Sequence, residues 1–288
     1  MTTLTSHDAD HQHLPHAFEA RHIALAYDGH EVVPDFSLTV PAHQVGAIIG
    51  PNGCGKSTVL KALARLLKPT HGSVILDGKS INTLPTREVA TKVGLLPQSP
   101  TAPEGITIAD LITRGRYPYH GLRGGWNTDD EQAVAHALNA TGLAGLADRS
   151  LDEVSGGQRQ RAWIALALAQ ETDILLLDEP TTYLDIAYQI EVLDLLSYLN
   201  ASEGVTVVMV LHDLSLAARY ADWMVAIDHG RIAAQGTPGE VVTESLLHDV
   251  FGLNASVTTD PGTGLPIMVP AATHSLKAQR EAYARKAS

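Results

Sequence analysis

The sequence predicts an α/β fold: a parallel-sheet core, an antiparallel β subdomain at its N-terminal end, and a helical subdomain inserted into the core. Three observations predict it. A short apolar run, Val45–Ile49, leads through a glycine-rich stretch into apolar residues at helical spacing, Val59, Leu60, Leu63, Leu66 and Leu67. From Ile174 to Ile227 apolar runs alternate with helical patterns, the order expected of parallel strands joined by crossover helices. From about 99 to 172 helical spacing dominates, broken by Gly- and Pro-rich loops.

Residues 1–16 are polar and carry His7, His11, His13 and His16. Clustered imidazoles can bind metal. No cysteine or ordered carboxylate accompanies them, so a disordered tail is the expectation. The main domain then runs over 17–270, with a second tail over 271–288. From Phe18 to Leu38 short alternating strands are expected, with turns at Asp28-Gly29 and Pro34-Asp35. A further strand pair is read around Asp77-Gly78, Ser73–Leu76 before it and Val93–Leu96 after it. Asp129–Leu138 and Gln158–Gln170 are helices of the inserted part. Ile174–Leu177, four consecutive aliphatics, reads as a fully buried parallel strand. Gln189–Leu199 reads as a helix, Val205–Leu211 as a strand, Leu214–Tyr220 as a helix and Trp223–Ile227 as a strand. After Gly252 the pattern fades, and Ser275–Ser288 reads as a frayed helix.

Composition narrows the function. The 288 residues are 44% hydrophobic, ample for a sizeable core. A net charge of −12 argues against non-specific binding to nucleic acid or anionic lipid, which want a basic face. One cysteine, Cys54, excludes an internal disulfide and suits a reducing compartment. No stretch approaches the roughly 18 apolar residues of a membrane span, and the start of the chain lacks a secretory signal pattern. The expectation is an intracellular, soluble protein able to sit against a membrane protein.

The chemistry starts at Gly50-Pro51-Asn52-Gly53-Cys54-Gly55-Lys56-Ser57-Thr58, which satisfies G-x-x-x-x-G-K-[ST]. Glycines at 50, 53 and 55 let backbone N–H groups turn inward, where a side chain would block a phosphate. Lys56 supplies a cation to the outer phosphates. Ser57 supplies a hydroxyl for Mg²⁺, a hard ion that takes oxygen ligands. A helix starting here adds the positive end of its dipole. Cys54 is read as a small residue whose backbone N–H does the work, the alternative being a thiol whose modification blocks nucleotide. Asp178-Glu179 follow the strand Ile174–Leu177 directly, and two carboxylates at the mouth of a buried strand are costly unless a cation or a reaction needs them. Asp178 is the candidate for holding Mg²⁺, and Glu179 for taking a proton from an attacking water.

Between these motifs stands Val154-Ser155-Gly156-Gly157-Gln158, followed by Arg159, Gln160 and Arg161. A serine hydroxyl and two bare glycine N–H groups at a helix N-terminus make a second anion site. One subunit that already holds a nucleotide has no need of it. On these residues the chain resembles the ATP-binding cassette (ABC) proteins over residues 18–270, with a P-loop NTPase core. The resemblance implies that Ser155, Gly156, Gly157 and Gln158 reach across a dimer to the ATP of a second copy. Val154 stands where the family usually has Leu. Tyr27 resembles the aromatic that stacks on adenine, Gln98 the glutamine that touches Mg²⁺, Leu184-Asp185 the loop that crosses the dimer, and His212 the switch histidine at the γ-phosphate.

Within the family, four stretches are similar to importers of iron–siderophore, ferric citrate, haem or cobalamin type: Arg114-Gly-Arg-Tyr-Pro-Tyr-His-Gly121, Thr181-Thr-Tyr-Leu-Asp-Ile-Ala-Tyr-Gln189, Leu211-His-Asp-Leu-Ser-Leu-Ala-Ala-Arg-Tyr220 and Asp260-Pro-Gly-Thr-Gly-Leu-Pro-Ile267. The resemblance implies an ATPase with ATP and Mg²⁺, working as a peripheral subunit at the cytoplasmic face of the membrane. Its partners would be integral-membrane permease subunits, a second copy and, indirectly, an extracytoplasmic substrate-binding protein. The helical part after Gln98 is the expected permease contact. Other cargoes, such as haem, cobalamin, zinc or manganese, share every catalytic residue. A non-hydrolysing scaffold is disfavoured by Lys56, Asp178, Glu179 and His212 all being present. An ABC ATPase of DNA or ribosomes is disfavoured by the single cassette and the acidic balance.

Overall fold

The computed structural model describes residues 15–120 and 125–271. His7, His11, His13, Gly121 and the helix read over Ser275–Ser288 lie outside the described residues.

The hairpin β1 (Phe18–Tyr27) and β2 (His30–Val40) opens the fold, β3 (Val45–Ile49) enters the core, and α1 (Lys56–Leu63) follows the glycine-rich loop. Next come β4 (His71–Leu76), β5 (Lys79–Ser80), α2 (Thr86–Ala90) and β6 (Val93–Leu96). The inserted part carries α3 (Ile108–Thr113), α4 (Thr128–Ala140) and α5 (Gly156–Leu168). The chain returns through β7 (Ile174–Asp178), α6 (Ile186–Glu203), β8 (Thr206–Val210), α7 (Leu214–Tyr220) and β9 (Trp223–Asp228). It closes with β10 (Arg231–Gly236), α8 (Pro238–Val241), α9 (Glu244–Phe251) and the hairpin β11 (Ala255–Thr259)–β12 (Pro266–Pro270).

The core is a six-stranded sheet in the order β10-β9-β3-β8-β7-β6. β3, β7 and β8 are buried at every position, which is why they read as unbroken apolar runs. Successive side chains point to opposite faces. Val45, Ala47, Ile49, Leu175, Leu177, Val207 and Met209 therefore pack with the inserted helices, α6 and α7. Ile48, Ile174, Leu176, Val208 and Val210 pack with α1 and the N-terminal β subdomain. Gly46 interrupts a buried strand because a Cβ there would lie 2.1 Å from Trp223 Cζ2. Parallel pairing brings Ile48 beside Val210, Asp178 beside Val210 and Leu96 beside Leu177. The C-terminal ends of β3, β6, β7 and β8 thus open onto one edge, where ligands bind in open parallel sheets.

Several expectations are corrected. Pro34-Asp35 is not a turn: it lies inside β2, where the register shifts between Ile23↔Phe36 and Leu25↔Val33, a bulge that absorbs the proline. The strand Val93–Leu96 does not pair with Ser73–Leu76. It joins β7 in the parallel sheet, and across Asp77-Gly78 the partner of β4 is the short β5. His16 is part of the folded body. Its ring nitrogens lie 2.8 Å from Asp77 and 2.8 Å from Asp173, with the side chain 8% exposed. The fading pattern after Gly252 conceals a hairpin whose β12 packs on α7, its strands carrying alternately half-buried and exposed residues.

The Arg114–Tyr119 stretch is a 3-10 turn whose Arg116 is 3% exposed. Its guanidinium reaches Asp130 Oδ1 at 3.0 Å, the Ala169 carbonyl at 2.8 Å and Glu171 Oε2 at 2.7 Å, and lies 4.0 Å over the Tyr119 ring. Gly115 must be glycine, since a Cβ would sit 2.4 Å from the Leu166 carbonyl oxygen. The clasp ties the start of α4 to the end of α5. Burial pushes the Asp130 carboxyl up, but hydrogen bonds from Arg116 and the Asn127 N–H outweigh it and hold the carboxyl below the usual range. Arg116→Ala leaves Asp130 buried without its guanidinium partner, with only the Asn127 N–H and the His120 ring beside it, and is expected to cost about 3–5 kcal/mol in urea unfolding. Asp130 has a depressed folded pKa. Its contribution is therefore present above the unfolded value near about 3.9 and is lost as pH falls through the folded one. Urea midpoints followed down the acid range should fall faster for wild type than for Asp130→Asn.

Candidate active site

The loop between β3 and α1 has the backbone its spelling predicts. Gly50, Gly53 and Gly55 lie at φ 150°, 78° and 108°. A Cβ on Gly50 would meet the Ile227 carbonyl at 2.2 Å, while one on Gly53 would meet nothing within 4 Å. Gly50 is glycine for packing, whereas Gly53 faces open space where a ligand can approach. No side chain caps α1, so its first N–H groups stay available to an anion. Lys56 is 5% exposed and donates to the carbonyls of Gly50 at 2.9 Å and Pro51 at 2.8 Å, which holds the loop closed on itself. Cys54 turns its thiol into the core, where burial pushes its pKa up, leaving only its backbone toward the loop.

The carboxylates arrive from β7. Asp178 is 4% exposed and accepts from Ser57 Oγ at 2.8 Å. Burial pushes its carboxyl up against the opposing effect of that hydrogen bond. Glu179 is 9% exposed, with φ 55°. Its Oε1 lies 2.5 Å from His212 Nε2, and its Oε2 accepts from Gln98 Nε2 at 2.5 Å and from Thr182 Oγ1 at 3.0 Å. Asn52, Gly53, Gly55, Lys56, Ser57, Thr58, Glu179 and His212 line one cavity of about 140 Å³. This arrangement can hold an anion on backbone N–H groups and a cation between two oxygens, and it can present a carboxylate to the same space.

Other predicted residues stand outside that cavity. Gly50, Pro51 and Cys54 shape the loop from behind. Asp178 and Gln98 stand behind Ser57 and Glu179. Tyr27 stands at the tip of the β1–β2 hairpin, 40% exposed, and Val32 and Val33 of that hairpin face Gly55. Ser155 caps α5: its hydroxyl accepts from the Gln158 N–H at 3.3 Å, and Gln158 Oε1 accepts from the Ser155 N–H at 3.1 Å. Gly156 has open space above it, and Gly157 packs under Tyr188, whose ring would lie 2.7 Å from a Cβ. The chain does not bring Ser155–Gln158 to the cavity it forms itself. Sequence reasoning missed Thr182; a hydroxyl three residues after a candidate base was the signal that could have found it.

Residues 33–182 match the ABC transporter family. The chain is 54% identical over 254 residues to a Bacillus subtilis (strain 168) protein named Probable siderophore transport system ATP-binding protein, covering 88% of this chain and 92% of that one. It is 50% identical over 248 residues to the ferric enterobactin transport ATP-binding protein of Escherichia coli (strain K12), covering 86% and 92%. Among solved structures, an inward-facing conformation of a metal-chelate type ABC transporter superposes with a TM-score of 0.77 at 26% identity, covering 90% of this chain and 98% of that one. The dimeric post-hydrolysis state of the ATP-binding cassette MJ0796, bound to ADP and Pi, superposes with a TM-score of 0.67 at 28% identity, covering 76% and 98%. The chain belongs to the ABC transporter family, and it is a nucleotide-binding ATPase subunit of that family.

Lys56→Ala removes charge-assisted hydrogen bonds of about 1.5–3 kcal/mol from the loop and its ligand. Titration of the variant with ATP should show affinity at least about tenfold below wild type, with the urea midpoint also lowered by loss of the bonds to Gly50 and Pro51.

Proposed function

We propose that this chain is the ATP-hydrolysing subunit that energises an importer of iron(III)–siderophore complexes. The observation that carries the hydrolytic reading is the Glu179 carboxylate, poised between Gln98 and His212 at the rim of the phosphate cavity. Cargo class is supported by relatives at 54% and 50% identity, one named for siderophore transport and the other for ferric enterobactin transport. Haem, cobalamin or zinc and manganese importers are the other reading that the same site allows.

In this reading the β- and γ-phosphates of ATP lie on the loop N–H groups and the start of α1, with Lys56 beside them and Tyr27 against the adenine. Ser57 and Asp178 fit a Mg²⁺ ion, two oxygens already 2.8 Å apart with the carboxylate destabilised by burial until a cation joins it, and Gln98 would complete its surroundings. When bound, the ion neutralises charge on the transferring phosphoryl group. Glu179 takes a proton from the water that attacks the γ-phosphorus, while His212 holds the γ-phosphate, and ADP leaves as the bridging P–O bond breaks.

A cavity of about 140 Å³ is small beside the roughly 300–1,000 Å³ of complete ligand sites. That supports a site finished by a second copy, whose Ser155, Gly156, Gly157 and Gln158 would cover the γ-phosphate, as does the dimeric ADP-bound neighbour. The γ-phosphate would then bridge two chains, so ATP and ADP favour different separations and drive a permease between states. Among the described residues no helix is long and apolar enough to cross a membrane. The reading is of a peripheral subunit at the cytoplasmic face, its functional unit spanning residues 17–270. The helical segment after Gln98 would meet the permease, and the permease would meet an extracytoplasmic substrate-binding protein.

The test is ATP turnover by the chain with and without an iron–siderophore permease in lipid vesicles, beside Glu179→Gln. Stimulated turnover that the substitution lowers by about 10²–10⁴-fold is expected. Equal turnover by variant and wild type would overturn the hydrolytic reading, and indifference to siderophore permeases with stimulation by another importer's permease would overturn the cargo.

A further inference from the structure

The three side chains against Glu179 are not equivalent. His212 follows β8 and Gln98 follows β6, so each is carried by an element other than the one that carries Glu179. Thr182 lies on the same turn as Glu179, whose carbonyl accepts from the Thr182 N–H at 3.2 Å. The Thr182 hydroxyl donates to Oε2 at 3.0 Å, and Oε1 is the oxygen on the His212 side. Glu179 and His212 line the cavity, whereas Gln98 and Thr182 do not. One carboxylate oxygen is therefore anchored at the back and the other faces the space where substrate would lie. The backbone supports this picture. Glu179 and Tyr183 both hold left-handed φ values, 55° and 67°, which non-glycine residues keep only where the surroundings over-determine them.

We infer that Thr182 is a positioning residue for the hydrolytic step: its hydroxyl, fixed to the turn after β7, holds Glu179 Oε2 so that Oε1 stays aimed at the attacking water when Gln98 and His212 turn to the nucleotide. The inference rests on the hydrolytic reading above. Threonine is branched at Cβ, which restricts rotation about χ1, so its hydroxyl orients the carboxylate at little entropic cost. Threonine neither touches substrate nor moves a proton in this role. Its loss lets the carboxylate rotate, and misplacement by about 1 Å costs up to about 10²-fold in rate.

The experiment measures steady-state hydrolysis of Mg·ATP by the full chain as wild type, Thr182→Val, Thr182→Ser and Glu179→Gln, with ATP affinity and urea unfolding measured alongside. Thr182→Val keeps shape and removes the donor. It should lower kcat by about tenfold or more with KM and ATP affinity within about twofold of wild type, and Thr182→Ser should restore most of the rate. In the Glu179→Gln background Thr182→Val should add nothing further, since the two act as one unit. A Thr182→Val enzyme with wild-type kcat, or one as slow as its serine counterpart, overturns the inference while the hydrolytic reading stands. A wild type that hydrolyses no faster than Glu179→Gln overturns both.

Discussion

Two carboxylates end a strand that is buried along its whole length, and the rest of the molecule is arranged around making that tolerable. Asp178 and Glu179 are 4% and 9% exposed, so each must be engaged or the strand end would cost several kcal/mol. The partners come from four places: Ser57 from α1, Gln98 from the loop after β6, Thr182 from the turn after β7, and His212 from the loop after β8. Only a parallel sheet with these strands side by side delivers all four to one edge. The strand order β3-β8-β7-β6 does so, and the apolar filling on its two faces keeps the register.

The same economy explains what the chain withholds. The first N–H groups of α1 are left uncapped beside open space, whereas the start of α5 is closed by its own Ser155–Gln158 capping box. One helix end is open to an anion; the other is closed by its own side chains. The Ser155 bond, at 3.3 Å, is long for a cap, so exchanging it for a phosphate oxygen sacrifices little. The Arg116 clasp serves a different end. It ties the start of α4 to the end of α5 within the inserted part.

Much of this was legible because chemistry and periodicity coincide. The glycine-rich loop, the Ile174–Leu177 run and the Asp178-Glu179 pair identify themselves, since a buried parallel strand and a phosphate loop tolerate few spellings. Leu214–Tyr220 is a helix over the residues its pattern indicates. What stayed hidden depends on tertiary partners. Pro34-Asp35 carries a turn signal, yet pairing with β1 makes it a bulge. Val93–Leu96 follows Asp77-Gly78 in sequence, yet its four residues are taken by β7. The β11–β12 hairpin lies on the surface: its inward positions are only half-buried while Ile267 and Val269 stand exposed, so apolar residues do not mark one face. At the site, residue types named Gln98 and His212, whereas the Thr182 hydroxyl, three residues after Glu179, was a signal left unread. Arg116 appeared as one letter in a subfamily stretch, and its buried ion pair could be seen only once α4 and α5 were packed together.

In the proposed function one chain half-builds the site and a second completes it. Sedimentation velocity of full-length Glu179→Gln, with Mg·ATP and with Mg·ADP, tests that most directly. A shift from monomer to dimer with ATP alone, abolished by Ser155→Arg, is the predicted result. A chain that binds ATP measurably yet sediments as a monomer with both nucleotides contradicts it.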